Sequence, residues 1–365
     1  MTRDRIRLCH VGCGYWGPNL LRNSANHAAV EIAAICDTRP DSLKRFGQRY
    51  KSASLYDALE PALADPTIDA VVLATPTGLH FQHVSMALAA GKHVFVEKPL
   101  AESVDQAIEL RDKAVAAGVV LMVGHTFLYN NLVHAVKEYI TEGALGSLCY
   151  AYSQRLNLGR FRRDSDVMWT LAPHDISILN FWFDDVPKFV SARGDAFIHK
   201  ESDIAEVCFA RLDYGNGLSA YLHLSWLDPQ KRREMVLVGA ERMLVYDDMN
   251  SDAHIRLYDK SAAAHHQSET ADFADFTTRT RAGDLVIPTL QLVEPLAVEI
   301  DHFVECILTG QRPRSDGRQS IEVIAVLEAL GRSMANNGEN VEVLYPALAP
   351  DRDAGGSRKQ EGVRS

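Results

Sequence analysis

Residues 6–17 read Ile6-Arg7-Leu8-Cys9-His10-Val11-Gly12-Cys13-Gly14-Tyr15-Trp16-Gly17. A mostly apolar strand runs into G-x-G-x-x-G, and Pro18 follows where a helix begins, a place at which its missing N–H costs nothing. Gly12 permits the tight turn, Gly14 lets backbone approach a pyrophosphate, and Gly17 lets the helix pack on the strand. The helix N-terminus then offers free N–H groups to phosphate. Tyr15 and Trp16, between the last two glycines, count as contacts of the same ligand. Twenty residues beyond Gly17, Asp37 closes a second strand, where a carboxylate hydrogen-bonds the adenosine ribose. The stretch is therefore read as a dinucleotide-binding turn. Asp37 favours NAD, because its charge repels a 2′-phosphate; Arg39, two residues on, leaves NADP open.

Working outward, strands and helices alternate. Strands are expected at 6–11, 31–37, 70–75 and 119–123, with a further one ending at Lys98, and helices from about Pro18 and over 42–50, 81–90 and 103–117. Ala70-Val71-Val72-Leu73-Ala74-Thr75 is solidly apolar, as a parallel strand covered on both faces must be. This pattern predicts a doubly wound parallel sheet of the Rossmann type over residues 1–125. Near its end stands Gly91-Lys92-His93-Val94-Phe95-Val96-Glu97-Lys98-Pro99. An apolar strand stops there on a carboxylate and an ammonium, and Pro99 blocks further ladder pairing. Charges at the carboxyl edge of such a sheet lie where ligands bind.

The pattern changes after Gly124-His125. Helices are expected over 132–142 and 168–183, and strands over 147–155, 189–196, 204–213, 218–226, 234–239 and 242–246. Tyr221, His223 and Ser225 alternate with Leu222, Leu224 and Trp226, the period of a half-covered strand. Residues 126–348 are thus read as an α+β domain with a largely antiparallel, open-faced sheet. Residues 249–287 read as polar and irregular, 293–309 and 320–335 as amphipathic helices, and 349–365 as a disordered tail.

With 48 acidic against 38 basic side chains, the balance disfavours nucleic acid or an anionic membrane as partner. No apolar run approaches a membrane span, and the N-terminus passes straight into a strand without a signal-peptide pattern. The six cysteines are scattered without C-x-x-C pairs, as befits buried hydrophobes in a reducing cytoplasm. Zinc chemistry lacks H-E-x-x-H or clustered cysteines, so no metal site is expected, and a serine hydrolase lacks its G-x-S-x-G elbow.

Several segments together resemble the glucose–fructose oxidoreductase/inositol dehydrogenase (Gfo/Idh/MocA) family. They are Gly12 to Gly17, Thr75-Pro76-Thr77-Gly78-Leu79-His80, Gly91 to Pro99, Gly124-His125, Pro173-His174-Asp175, Glu294-Pro295 and Ser315-Asp316-Gly317. The resemblance implies a Rossmann domain followed by an open-faced sheet used for assembly, here as a homodimer or homotetramer. It implies hydride transfer between NAD(P) and a sugar or polyol carbinol. Thr75 and Pro76 resemble the pair that contacts the nicotinamide half, and His80 a histidine bracing that loop. Glu97 and Lys98 match the motif whose lysine lies near nicotinamide and substrate, and His174 falls at the common catalytic histidine. The position four residues before it, often aspartate in the family, is Thr170.

Alcohol oxidation needs a group to take the hydroxyl proton and a cation to stabilise the developing alkoxide. His174, with an ordinary pKa near ~6.5, suits the first role and Lys98 the second. Substrate contacts are expected from His125, Tyr152, Arg155, Asn157, Arg163 and Asp175. Arg160, Arg162 and Arg163 suit an anionic substrate, a nucleotide sugar's diphosphate or a uronate carboxylate; a solvated loop balanced by Asp164 and Asp166 is the other reading. A free-sugar or inositol dehydrogenase, a redox-assisted glycosidase and a non-catalytic NAD or sugar sensor stand as alternatives.

Overall fold

The computed structural model describes residues 5–159, 161–162, 165–201, 204–263, 279–281 and 283–348. Arg160, Arg163, Asp164 and the expected tail over 349–365 lie outside them. The chain divides into two compact units: Met1–Gly124 with Glu299–Ser320 and the stretch from Pro346, and His125–Val298 with Ile321–Tyr345.

The first unit holds β1 (Ile6–Val11), α1 (Gly17–Asn26), β2 (Val30–Cys36), α2 (Pro40–Arg49), β3 (Ser54–Tyr56), α3 (Leu59–Leu63), β4 (Ala70–Leu73), α4 (His80–Ala89), β5 (His93–Glu97), α5 (Val104–Ala117) and β6 (Leu121–Gly124). Its six strands lie in the order β3-β2-β1-β4-β5-β6, every neighbour parallel. All four residues of β4 are buried, as a strand flanked on both faces requires. The Ser103 side chain caps α5 by accepting the Gln106 N–H, and Gly118 ends it with φ of 66°. Strand order reverses at β1, so the crevice beyond the carboxyl ends of β1 and β4 is the unit's ligand-binding edge. The short β3 and α3 were not legible in sequence, because three and five residues are too few to show a period.

The second unit begins with α6 (Asn131–Thr141), β7 (Leu148–Leu158), α7 (Val167–Phe183), β8 (Phe189–Asp195), β9 (Val207–Gly215), β10 (Leu218–Ser225), β11 (Leu227–Gly239), β12 (Met243–Asp247) and β13 (Ile255–Tyr258). There follow β14 (Ser261–Ala263), β15 (Arg279–Arg281), β16 (Leu285–Val286), α8 (Pro295–Thr309), α9 (Gly317–Ala335) and β17 (Val341–Glu342), α8 and α9 each running from one unit into the other. Among the described residues nine strands pair as β16-β13-β12-β11-β7-β10-β9-β8-β17, and only β7 with β10 is parallel. The stretch expected to be irregular thus contributes β13 to β16. These strands are two to four residues long, below the length at which alternation is readable.

Alternation along β7 buries Ala151, Ser153 and Arg155 on one face and leaves Tyr150, Tyr152 and Gln154 on the other. The buried face carries α7: the Ser153 hydroxyl lies 3.1 Å from Asp175 Oδ2, and the Tyr214 hydroxyl donates to Asn180 Oδ1 at 3.0 Å. Trp182 of α7 donates its indole N–H to the Val133 carbonyl of α6 at 2.9 Å and stands edge-on to Tyr246. On the opposite face Tyr150, Phe209 and Tyr221 stay 42%, 55% and 47% exposed.

A buried carboxylate organises the connection between β8 and β9. Glu206 accepts the backbone N–H groups of Phe197, Ile198 and His199 at 2.7–3.0 Å, and the His199 ring lies 2.8 Å from it. Burial alone would raise its pKa, but the Ile198 N–H, the His199 ring and the other two N–H donors outweigh it and bring the carboxyl down to about 2. A depressed carboxylate contributes stability that is complete above its unfolded pKa and lost as pH falls through the folded one. Stability should therefore fall between about pH 4.5 and about pH 2 through this group. Glu206→Gln, followed by thermal melts across that range, should lower the melting temperature at pH 7 and flatten this part of the acid limb. An unchanged acid limb would mean that the charge of Glu206 does not hold the loop.

Candidate functional site

In the first unit, Gly12 has φ of 89°, and a Cβ there would meet the Ala74 carbonyl oxygen at 2.6 Å. A Cβ on Gly17 would stand 1.9 Å from the Gly12 oxygen, whereas one on Gly14 would meet nothing within 4 Å. Two glycines are thus demanded by the turn itself and the third keeps open space above the backbone. That is the cradle a pyrophosphate needs in front of the first N–H groups of α1, flanked by exposed Tyr15 and Trp16. The residues fit a dinucleotide.

The turn is held from below. Gly12 N–H donates to the Cys36 carbonyl at 2.8 Å, and Cys13 N–H donates to Asp37 Oδ2 at 2.7 Å. His10, wholly buried in β1, lies with Nε2 3.1 Å from the Gly12 carbonyl oxygen. A carbonyl only accepts, so Nε2 carries the proton. Burial pushes the His10 pKa down to about 4, leaving the ring neutral near pH 7.

Asp37 is almost completely buried. Its Oδ1 accepts the Arg39 backbone N–H at 2.9 Å and Nε–H at 3.0 Å, and an Arg39 terminal nitrogen reaches Oδ2 at 3.0 Å. Burial opposes its charge, but Arg39 and the Cys13 N–H prevail and hold the carboxyl below its usual range. The Arg39 side chain is itself largely exposed. A ligand hydroxyl that reached Asp37 would therefore compete with this guanidinium.

The ends of β4 and β5 meet through His80. Its Nδ1 lies 2.7 Å from the Pro99 oxygen and its Nε2 2.9 Å from the Thr75 oxygen. A neutral ring donates to one of these carbonyls and a protonated ring to both; burial lowers its pKa against their pull. The Thr75 hydroxyl is 3.3 Å from His83 Nδ1, and Pro76 is exposed. Glu97 ends β5, and half-buried Lys98 follows it through a cis peptide to Pro99. The Glu97 carboxylate accepts from the Trp16 side chain and the Lys98 N–H, while its buried Oε1 has no hydrogen-bond partner. Burial pushes this carboxyl well above the carboxylate range, with Lys98 and Trp16 pulling it back.

In the second unit, α7 carries half-buried His174 directly after the helix-interior Pro173, which lacks the N–H that would bond the Trp169 carbonyl. The His174 ring meets Phe127 edge-on at 5.2 Å, and the Arg155 guanidinium lies 4.9 Å over the same phenyl ring. Read from sequence as substrate contacts, Arg155 and Asp175 are buried against each other. Arg155 Nε and a terminal nitrogen lie 2.8 and 2.6 Å from Asp175 Oδ1, with side chains 8% and 1% exposed. Tyr152, grouped with them from sequence, lies on the opposite face of β7, stacked on Tyr150. His125 is buried where β6 ends, and Asn157 is half-buried near the end of β7.

Thr170 turns its hydroxyl back to the Asp166 carbonyl at 2.8 Å, and Asp166 Oδ1 caps α7 by accepting the Trp169 N–H at 2.8 Å. Asp166 is therefore occupied as a helix cap. Among the described residues no group of three His, Cys, Asp or Glu side chains is arranged to hold a metal, and no helix is long and apolar enough to cross a membrane. His10, Ser153 and Phe127 escaped the reading of the sequence. Only His10 left a signal there, as a histidine inside an apolar strand that abuts the glycine turn.

A parallel sheet with an open glycine turn and a carboxylate at the second strand's end defines a nicotinamide-dinucleotide-binding fold. Residues 6–125 match a family described as "Oxidoreductase family, NAD-binding Rossmann fold", and residues 133–245 match the "GFO/IDH/MocA C-terminal domain". The chain belongs to the Gfo/Idh/MocA oxidoreductase family. D-apiose dehydrogenase of Paraburkholderia graminis is 25% identical over 94% of this chain and 91% of its own length. scyllo-Inositol 2-dehydrogenase (NADP(+)) of Bacillus subtilis is 25% identical over 82% and 85%. The structure of the WlbA dehydrogenase from Bordetella pertussis, in complex with NADH and UDP-GlcNAcA, aligns with a TM-score of 0.76 at 21% identity, covering 94% of this chain and 100% of that one.

Proposed function

We propose that the protein is an NAD-dependent dehydrogenase of a secondary alcohol on a sugar-like substrate, and that the sugar is nucleotide-linked or otherwise anionic. The observation that carries the reading is the buried Asp37 carboxylate below an open Gly14 turn, in a sheet whose β5 ends on Glu97 with Lys98 directly after it. Bound NAD supplies the hydride acceptor. The protein's share is to hold the dinucleotide through the turn and Asp37, to stabilise the developing alkoxide with the Lys98 ammonium, and to take the hydroxyl proton on the His174 ring. The same groups serve ketone reduction in reverse. Sugar and polyol dehydrogenases among the relatives support the substrate class. The exposed Arg162 and the nucleotide sugar bound by the Bordetella protein support the anionic form.

NAD is favoured over NADP because a 2′-phosphate would meet Asp37. Asp37→Ala removes a charged hydrogen-bond acceptor, of the kind that contributes roughly 1.5–3 kcal/mol, and so should weaken NAD binding about ten- to a hundredfold. With the repulsion gone and Arg39 released, NADP should bind as well as NAD or better. Titration of NADH and NADPH fluorescence checks both effects; an unaltered preference would remove Asp37 from the ribose site.

We further propose assembly as a homodimer or homotetramer through the uncovered sheet face, where Tyr150, Phe209 and Tyr221 form an exposed aromatic patch. Free, mostly buried cysteines support a reducing, cytoplasmic setting. The test of function is NADH fluorescence after adding NAD to the protein with nucleotide sugars, uronates, free sugars and polyols in turn. A signal with nucleotide sugars or uronates supports the proposal, and one confined to free sugars or polyols overturns its anionic part. Silence across the panel, with NAD bound, would lower the simple dehydrogenase reading and move the redox-assisted glycosidase and the sensor to the front.

A further inference from the structure

We infer that His10 is a positioning residue that sets both cofactor affinity and the preference between NAD and NADP, by clamping the Gly12–Cys13 peptide onto Asp37. The inference rests on the dinucleotide assignment of the first unit and on no substrate. Its ground is one peptide plane held at both ends. On the carbonyl side His10 Nε2–H donates to Gly12 O at 3.1 Å, and the α carbon of Gly17 is packed so tightly on that oxygen that a Cβ would stand 1.9 Å away. On the other side Cys13 N–H donates to Asp37 Oδ2 at 2.7 Å. The preceding N–H, of Gly12, is tied to the carbonyl of Cys36, the neighbour of Asp37.

A peptide plane cannot turn its carbonyl without turning its N–H. Glycine adopts the φ of 89° found at Gly12 as readily as other values, so the backbone alone does not fix this plane. The bond from His10 therefore orients the Cys13 N–H, which in turn orients the carboxylate facing the ribose. His10 is wholly buried and its Nδ1 has no hydrogen-bond partner. An apolar side chain would leave no such orphan in this strand, so core packing alone gives no reason for a histidine here.

Three substitutions separate the clamp from core packing. Glutamine places an amide N–H near the position of Nε2, asparagine places one near Nδ1, and phenylalanine fills the space without a donor. Equilibrium titration of NADH and NADPH fluorescence, on protein whose melting curve is recorded alongside, reads all three. His10→Phe and His10→Asn should weaken NADH binding about tenfold, the effect of losing one good hydrogen bond, and shrink the NADH-over-NADPH preference severalfold. His10→Gln should restore most of both. If His10→Phe does not fold, the contrast between Gln and Asn decides alone. The proposal is overturned if the folded variants keep the parent's affinities and preference, or if Gln and Asn lose both equally. A parent protein that binds neither dinucleotide would remove the assignment on which the clamp rests.

Discussion

Lys98→Ala should lower kcat about a hundred- to a thousandfold with NAD saturating, while NAD affinity changes little. The size follows from the role. Removing one preorganised donor to a developing oxyanion typically costs two to three orders of magnitude. Lys98 follows the last residue of β5 at the carboxyl edge of the parallel sheet, and Pro99 and Leu100 behind it are buried, which anchors the backbone from which the ammonium extends. On the proposed reading the glycine turn and Asp37 hold the dinucleotide, so binding should survive the substitution. Steady-state rates with the substrate that the panel reveals, beside an NADH titration, separate the two quantities. A variant with parent kcat would take Lys98 out of the reaction; a variant that no longer binds NADH would make it a cofactor contact first.

Asp175→Ala should destabilise the protein by about 3–5 kcal/mol, the cost of leaving one partner of a buried ion pair without its counter-charge. Arg155 would then keep a desolvated guanidinium without its hydrogen-bonded counter-charge, with the face of Phe127 and the more distant Asp248 carboxylate left in its surroundings. Since Phe127 also meets the His174 ring, activity should fall further than a loss of folded protein explains. Replacing both charges, Arg155→Met with Asp175→Leu, should recover most of the stability, because a buried pair exchanged for apolar groups of similar volume is often neutral or better. Denaturant unfolding of the parent, the single and the double variant measures this directly. A single variant within 1 kcal/mol of the parent would mean that water reaches the guanidinium.

How much could be read in advance differs between the two units. The turn at Gly12, Gly14 and Gly17, the apolar β4, and the charged end of β5 are local statements about a few adjacent residues, and they are legible as such. The acidic cap on α7 is equally local, three residues before the N–H it accepts, yet from sequence Asp166 reads only as a charge balancing the arginine loop. Tyr152 and Arg155, three residues apart, are different. Their separation puts them on opposite faces of a strand, and the distinction appears only once β7 is seen to run through both. Arg155 and Asp175 look like two free charges near a candidate histidine until the helix is laid on the sheet.

The amino-acid sequence by itself determined the dinucleotide turn, the parallel sheet that carries it and the family, because positive φ, glycine spacing and apolar runs are written within single elements. The tertiary structure alone decided which charges pair with each other and which pair with the backbone. Asp37 meets the Cys13 N–H across 24 residues, and Arg155 meets Asp175 across 20. Partners so distant in the chain are chosen by the packing of one element on another, and a desolvated charge takes whichever counter-charge that packing brings within reach.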